Sequence, residues 1–139
     1  MIVLDTNVIS ELMRNAPHPP VVTWVDSQIE GELFTTAVTL AELLYDIARL
    51  PVGDRRASLS QAFHDMVAIE LAGRVLAFDD VAAEHYADIV VTRQQRERPI
   101  SMADAQIAAI CRSHGAVLAT RNTIDFAGLA VDLSDPWGA

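Results

Sequence analysis

The sequence predicts a doubly wound α/β fold, with a central parallel β-sheet of four to five strands flanked by helices. Short apolar runs rich in β-branched residues recur along the 139 residues, each followed by a stretch with a helical apolar stripe. Such alternation calls for right-handed crossovers that place helices on both faces of one sheet. The opening run Met1-Ile2-Val3-Leu4 stops abruptly at Asp5-Thr6-Asn7. It thereby delivers a carboxylate to the carboxyl end of a buried strand, where open parallel sheets bind their ligands.

The elements follow in order. After the first strand, Val8 to Met13 continues as a short helix that Thr6 or Asn7 can cap, and Asn15 to Pro20 breaks it. Val21, Val22, Trp24, Val25 and Ile29 carry a second helical face, with Pro19 and Pro20 at its first turn and Gly31 at its end. Glu32 to Thr36 reads as the second strand. A helix from about Val38 to Leu50 then turns Leu40, Leu43, Leu44 and Ile47 inward, and Pro51-Val52-Gly53 closes it. Asp54 caps a long amphipathic helix through about Leu71, and Val75 to Phe78 is the third strand. Asp79 or Asp80 caps a helix to about Arg96, which the loop Glu97-Arg98-Pro99 follows. Ser101 begins a mostly apolar helix to about Ser113, Gly115 terminates it, Ala116 to Ala119 is the fourth strand, and Leu129 to Leu133 is a candidate fifth.

No linker composition interrupts this pattern, so residues 1–139 read as a single domain, large enough to bury a core without staples. The hydrophobic fraction of 51%, with six Gly and six Pro spread as punctuation, excludes a disordered chain. The first apolar run is cut by Asp5 and no window reaches the roughly 18 apolar residues of a membrane span, which reads as a cytoplasmic, unprocessed protein. Cys111, amid Ile107, Ala108 and Ile110, reads as a buried small hydrophobe. The four histidines share no metal-ligand spacing. A net charge of −9 argues against a broad nucleic-acid surface, although all ten basic residues are arginines, whose forks bind phosphate bidentately.

On this scaffold Asp5 follows strand one, Glu42 begins the helix after strand two, Asp104 begins the helix leading into strand four, and Asn122 and Asp125 lie in the loop beyond it. Oxygen ligands gathered at a strand-end cleft suit a hard cation such as Mg²⁺ or Mn²⁺. Without a cation such acids repel one another and their pKa values rise. A bland alternative stands beside this one: Thr39-x-x-Glu42 fits a capping box and Ser101-x-x-Asp104 fits one loosely, so either acid can be a cap. Asp5 resists that reading, because an acid directly after a buried strand loses solvation unless something binds it.

Leu4-Asp5-Thr6-Asn7, Thr39-Leu40-Ala41-Glu42-Leu43, Ala103-Asp104-Ala105-Gln106-Ile107 and Thr120-Arg121-Asn122-Thr123-Ile124-Asp125-Phe126, in this order and spacing, resemble the PIN-domain family. More narrowly they are similar to the VapC-type ribonuclease toxins of bacterial toxin–antitoxin pairs, and Asp135-Pro136-Trp137 is similar to the ending of their FitB-like branch. The resemblance implies a PIN-like three-layer domain and a metal-dependent endoribonuclease that hydrolyses RNA phosphodiester bonds. By it, Asp5, Glu42 and Asp104 are the acidic triad, Asp5 and Asp104 the direct ligands of Mg²⁺ (or Mn²⁺), and Thr6, Asn7, Thr120, Arg121 and Asn122 the supporting polar positions. The fourth acidic position stays open between Asn122 and Asp125. Also implied are a homodimer, an RNA substrate, and a cognate antitoxin that covers the cleft, with Arg14, Arg121 and arginines of a second subunit drawing phosphate inward. A receiver or dehalogenase-like phosphotransferase gathers similar acids but uses a Lys, and the latter a second Asp where this chain has Asn7. The alternative of another class is a catalytically silent PIN-like binding module with a metal-stabilised acidic pocket.

Overall fold

In the computed structural model, which describes residues 1–138, the apolar runs form β1 (Ile2–Leu4), β2 (Leu33–Thr36), β3 (Val75–Leu76), β4 (Val117–Ala119) and β5 (Asp132–Ser134). They make one five-stranded sheet in the order β3-β2-β1-β4-β5, and every pairing is parallel. Leu4 pairs with Ala119, and the Asp5 amide N–H donates to the Ala119 carbonyl at 2.9 Å, so the ladder runs up to the acid.

Alternation along the strands sorts the core into two halves. Val3, Phe34 and Leu118 face one side, covered by α5 (Asp80–Gln95) and α6 (Met102–His114). Ile2, Leu4, Leu33 and Ala119 face the other, covered by α1 (Thr6–Leu12), α2 (Pro19–Asp26), α3 (Ala37–Ala48) and α4 (Asp54–Asp65). The result is the three-layer α/β/α arrangement that the alternation predicts. In α6 every residue from Ile107 to Cys111 is inaccessible to solvent, so this helix is apolar nearly all round because the sheet and α5 enclose it. Among the described residues, no helix is long and apolar enough to cross a membrane.

The helix starts depart from expectation in ways that matter for the site. Asp5 itself, not Thr6 or Asn7, caps α1: its Oδ1 accepts from the Thr6 N–H at 2.8 Å, because the strand turns into the helix with no loop between. Thr36 caps α3 through the Thr39 N–H at 3.1 Å. Thr39 and Glu42 therefore lie inside the helix, and the Thr39-x-x-Glu42 capping box does not form. Gly53 is the N-cap of α4, leaving Asp54 as the first helical residue. Asp79 caps α5 and Ser101 caps α6 by accepting from the N–H three residues on.

The expected long helix to Leu71 changes character at Met66–Glu70, which is a π-helical turn closed by Leu71 N–H to the Met66 carbonyl at 2.9 Å. The wider turn shifts the helical register by one residue and Leu71 ends up 1% exposed. β5 begins at Asp132, after Leu129, because Phe126 and Leu129 anchor the preceding loop to the core and Gly128 and Ala130 take positive φ. Leu44 is 45% exposed on the outer side of α3, not inward.

At the end of α6, Gly115 adopts φ +60 and completes a Schellman motif, with Ala116 N–H on the Cys111 carbonyl and Gly115 N–H on the Arg112 carbonyl. A Cβ there meets nothing within 4 Å, so only backbone strain opposes a side chain. Gly115→Ala is expected to lose about 1 kcal/mol in denaturant unfolding, and Gly115→Asn less. Equal stability of both variants and the parent would show that this turn tolerates a Cβ without strain.

Candidate active site at the carboxyl edge of the sheet

The site is built on the joint between β1 and α1. Asp5 is 4% exposed. Its Oδ1 accepts from the Thr6 N–H, and its Oδ2 accepts from the Thr120 hydroxyl at 2.8 Å and the Asn7 side-chain amide at 3.4 Å. Thr120, fully buried just after β4, also accepts from the Asn7 amide at 3.2 Å and the Asn122 N–H at 3.0 Å. The Asn7 side-chain Oδ1 accepts from the Arg121 backbone N–H at 3.2 Å. Asp5, Thr6, Asn7, Thr120, Arg121 and Asn122, distant in sequence, thus meet in one network.

Those hydrogen bonds favour the carboxylate, yet burial outweighs them and pushes the Asp5 carboxyl up to about 6, with repulsion from Asp104 and Glu42 adding to it. Asp104, half-buried in the first turn of α6, is likewise pushed up by burial. Ser101 opposes that shift, and the negative charges of Glu42 and Asp125 reinforce it. Asp5 at the end of β1 therefore feels the charges of Asp104 from α6 and Glu42 from α3, and Asp104 those of Glu42 and of Asp125 from the last loop.

Glu42 owes its orientation to threonines. The Thr6 hydroxyl lies 2.7 Å from Glu42 Oε1 and 3.3 Å from Thr39 Oγ1, and it has one proton to give. The carboxylate is the stronger acceptor. Thr39 must then donate to Thr6, and Thr36, 3.3 Å away, to Thr39. The hydroxyls are ordered in one direction, Thr36 to Thr39 to Thr6 to Glu42.

Among the described residues, no three Asp, Glu, His or Cys side chains converge tightly enough to enclose a metal ion unaided. That excludes a closed four-ligand site of the zinc kind. The uncompensated charge at Asp5 and Asp104 is where a cation that keeps most of its waters and takes one or two carboxylates would relieve repulsion.

The last loop brings Asp125 toward Asp104, whereas Asn122 contributes its backbone N–H and an exposed side chain. The loop is held by Arg93, a residue outside the expected set. It is 3% exposed, and its Nη2 donates to the Asp125 carbonyl at 2.6 Å and the Ala127 carbonyl at 3.1 Å. The signal in the sequence was an arginine on the buried α5 stripe Ala82, Tyr86, Ile89, Arg93. Arg14 does not join the acids: it lies past the far end of α1 and pairs with Glu11 at 3.0 Å. Arg121 is exposed beside the cleft, its guanidinium 5.1 Å from the centre of the Trp137 ring.

The PIN domain family matches residues 2–131. The chain is 42% identical over 137 residues to VapC ribonuclease Y4jK of Sinorhizobium fredii, covering 99% of this chain and 98% of that protein. It is 38% identical to Toxin FitB of Neisseria gonorrhoeae, with 99% of each chain covered. The crystal structure of FitAcB from Neisseria gonorrhoeae superposes with a TM-score of 0.85 at 36% identity and full coverage of both chains.

The raised Asp5 carboxyl makes a test that separates its charge from its capping role. Asn caps a helix as well as Asp does. Lifting the folded-state value from 3.8 to about 6 corresponds to about 3 kcal/mol. The sign follows from proton binding: between pH 4 and 6 the folded chain holds the proton and the unfolded chain does not. The penalty is absent below that window and complete above it. Asp5→Asn is therefore expected to melt several degrees above the parent at pH 7.5 in EDTA, with the gap narrowing to about a third by pH 4.5. A variant less stable than the parent by the same amount at both pH values would reduce Asp5 to a cap.

Proposed function

Because the chain belongs to the PIN-domain family, we propose that it is the ribonuclease toxin of a toxin–antitoxin pair, hydrolysing RNA phosphodiester bonds with Mg²⁺ (or Mn²⁺). The observation that carries this reading is Asp5: a nearly inaccessible carboxylate at a strand end, crowded by Asp104 and Glu42 and left short of positive charge. A purely structural cap needs none of that crowding.

Asp5 and Asp104 would hold the cation. Bound there, it supplies Lewis acidity toward a phosphoryl oxygen and brings a water's pKa toward neutrality. The chain's own groups do the rest. Thr120, Asn7 and the Thr6 N–H fix both oxygens of Asp5, so the carboxylate is preorganised before RNA arrives. Glu42, fixed at Oε1 by the directed hydroxyl chain, keeps Oε2 for orienting the attacking water. Asp125 takes the fourth acidic position in preference to Asn122, since it alone of the two adds negative charge beside Asp104. Arg121 at the rim meets the RNA backbone. A homodimer and a cognate antitoxin that covers the cleft complete the assembly, as the likeness to a protein named Toxin FitB supports.

The test is cleavage of a broad cellular RNA pool by chain purified free of any partner. Cleavage is expected with Mg²⁺ or Mn²⁺ and not in EDTA. Asp5→Asn, Asp104→Asn and Glu42→Gln are each expected to lose at least about a hundredfold while keeping the native circular dichroism. Asp125→Asn should lose more than Asn122→Ala. Equal cleavage by the parent and the acidic variants would overturn the assignment, and inactivity of the parent on every RNA would favour a silent binding module.

A further inference from the structure

Arg93, Arg98, Ser101, Asp104 and Asp125 face a cavity of about 390 Å³ that lies beside the acidic cleft and shares Asp104 and Asp125 with it. Arg93 is unusual there. A buried charge is ordinarily paired, and among the described residues the arginines with a carboxylate partner are Arg14, Arg49 and Arg112, not Arg93, Arg96 or Arg98. Arg93 instead spends Nη2 on two carbonyls. No buried side-chain nitrogen or oxygen among the described residues lacks a partner, so Nε and Nη1 of Arg93, which make no hydrogen bond to the protein, keep a narrow contact with solvent in a side chain that lines this cavity. Arg98 gives Nη2 to the Ile124 carbonyl at 3.2 Å and keeps its other donors. Two guanidiniums with unused N–H groups thus converge on one cavity, in a chain whose net charge is −9.

We infer that this cavity is a phosphate subsite, where Arg93 and Arg98 hold a backbone phosphate of the RNA next to the one being cleaved. The inference rests on the ribonuclease reading for the source of the phosphate, and on the cavity alone for its chemistry. Planar guanidinium forks match a phosphate's paired oxygens. Asp104 and Asp125, which also line the cavity, weaken the hold on an unaccompanied anion, so an RNA already engaged at Asp5 and Asp104 is the favoured occupant. Arg93 has a second duty through the loop carbonyls: filling the subsite would stiffen the segment that carries Asp125.

Two measurements decide it. In EDTA, thermal melts with inorganic phosphate and with acetate at equal ionic strength read the cavity directly. Phosphate is expected to raise the melting temperature saturably and acetate not. Arg98→Gln should weaken the apparent phosphate affinity about tenfold, the loss of one charge-assisted contact, and Arg93→Lys should weaken it in the same direction. Arg96→Gln, whose side chain lies on the Gly128 carbonyl outside the cavity lining, should leave it unchanged. Equal stabilisation by acetate, or phosphate binding indifferent to Arg98→Gln, would overturn the subsite.

The second measurement uses an RNA oligonucleotide that the parent cleaves, with single linkages beside the cleavage point replaced by neutral methylphosphonates. One flanking replacement should slow the parent about tenfold and slow Arg98→Gln no further. Additive losses would overturn the subsite while leaving the ribonuclease reading intact. Failure to cleave any RNA would overturn that reading and the RNA as the source, whatever the phosphate melts show.

Discussion

The structure turns on one carboxylate. Asp5 closes β1, begins α1 and faces the cleft, so a single side chain is at once ladder end, helix cap and buried charge. Its backbone N–H extends the pairing with β4, which fixes the acid's position relative to Thr120. Because the strand passes into the helix without a loop, the carboxylate has no freedom to swing into solvent. Its hydrogen bonds are too few to repay the lost hydration, and the chain keeps a group that is costly until a positive charge arrives.

A layer of threonines makes that arrangement tolerable. Thr35, Thr36, Thr39 and Thr120 are all wholly buried, and Thr6 lies half-buried beside them. β-branched side chains suit the strand ends, and each hydroxyl can satisfy a neighbour where a valine would leave it unpaired. Thr35 donates to the Leu4 carbonyl at 3.1 Å, tying β2 to β1 one residue before the acid. The remaining hydroxyls divide between the two carboxylates, Thr120 serving Asp5 and Thr6 serving Glu42. No buried side-chain polar atom among the described residues is left unsatisfied, as a preorganised site requires.

Much of this was legible in the sequence, for local reasons. The strands appear as apolar runs ending at polar residues, and Asp79, Ser101 and Gly115 act at the helix ends where their chemistry places them. What escaped were features that only tertiary packing decides. Thr39-x-x-Glu42 has the letters of a capping box, but Thr36 takes the cap first and releases Glu42 to the cleft. The π turn at Met66 answers the need to bury Leu71, and no local propensity announces it. Arg93 hides in an apolar helical stripe because its partners, the carbonyls of residues 125 and 127, lie more than thirty positions away.

The distribution of arginines bears on how an acidic chain would act on a polyanion, as the proposed function requires. Net charge governs encounter at long range, but at physiological ionic strength charges beyond about 8 Å are largely screened. What matters at the cleft is which cations remain uncompensated there. Arg14, Arg49 and Arg112 are each tied to a carboxylate elsewhere on the molecule. Arg93, Arg96 and Arg98 are held only by carbonyl dipoles of residues 124–128, which position the guanidiniums without cancelling their charge. Guanidinium charge without a carboxylate partner therefore stands beside Asp104 and Asp125. Under the proposed function, a phosphodiester spanning both regions would meet guanidinium on one phosphate and a cation-loaded carboxylate pair on the next, and so gain more than a single free anion held by the guanidiniums alone.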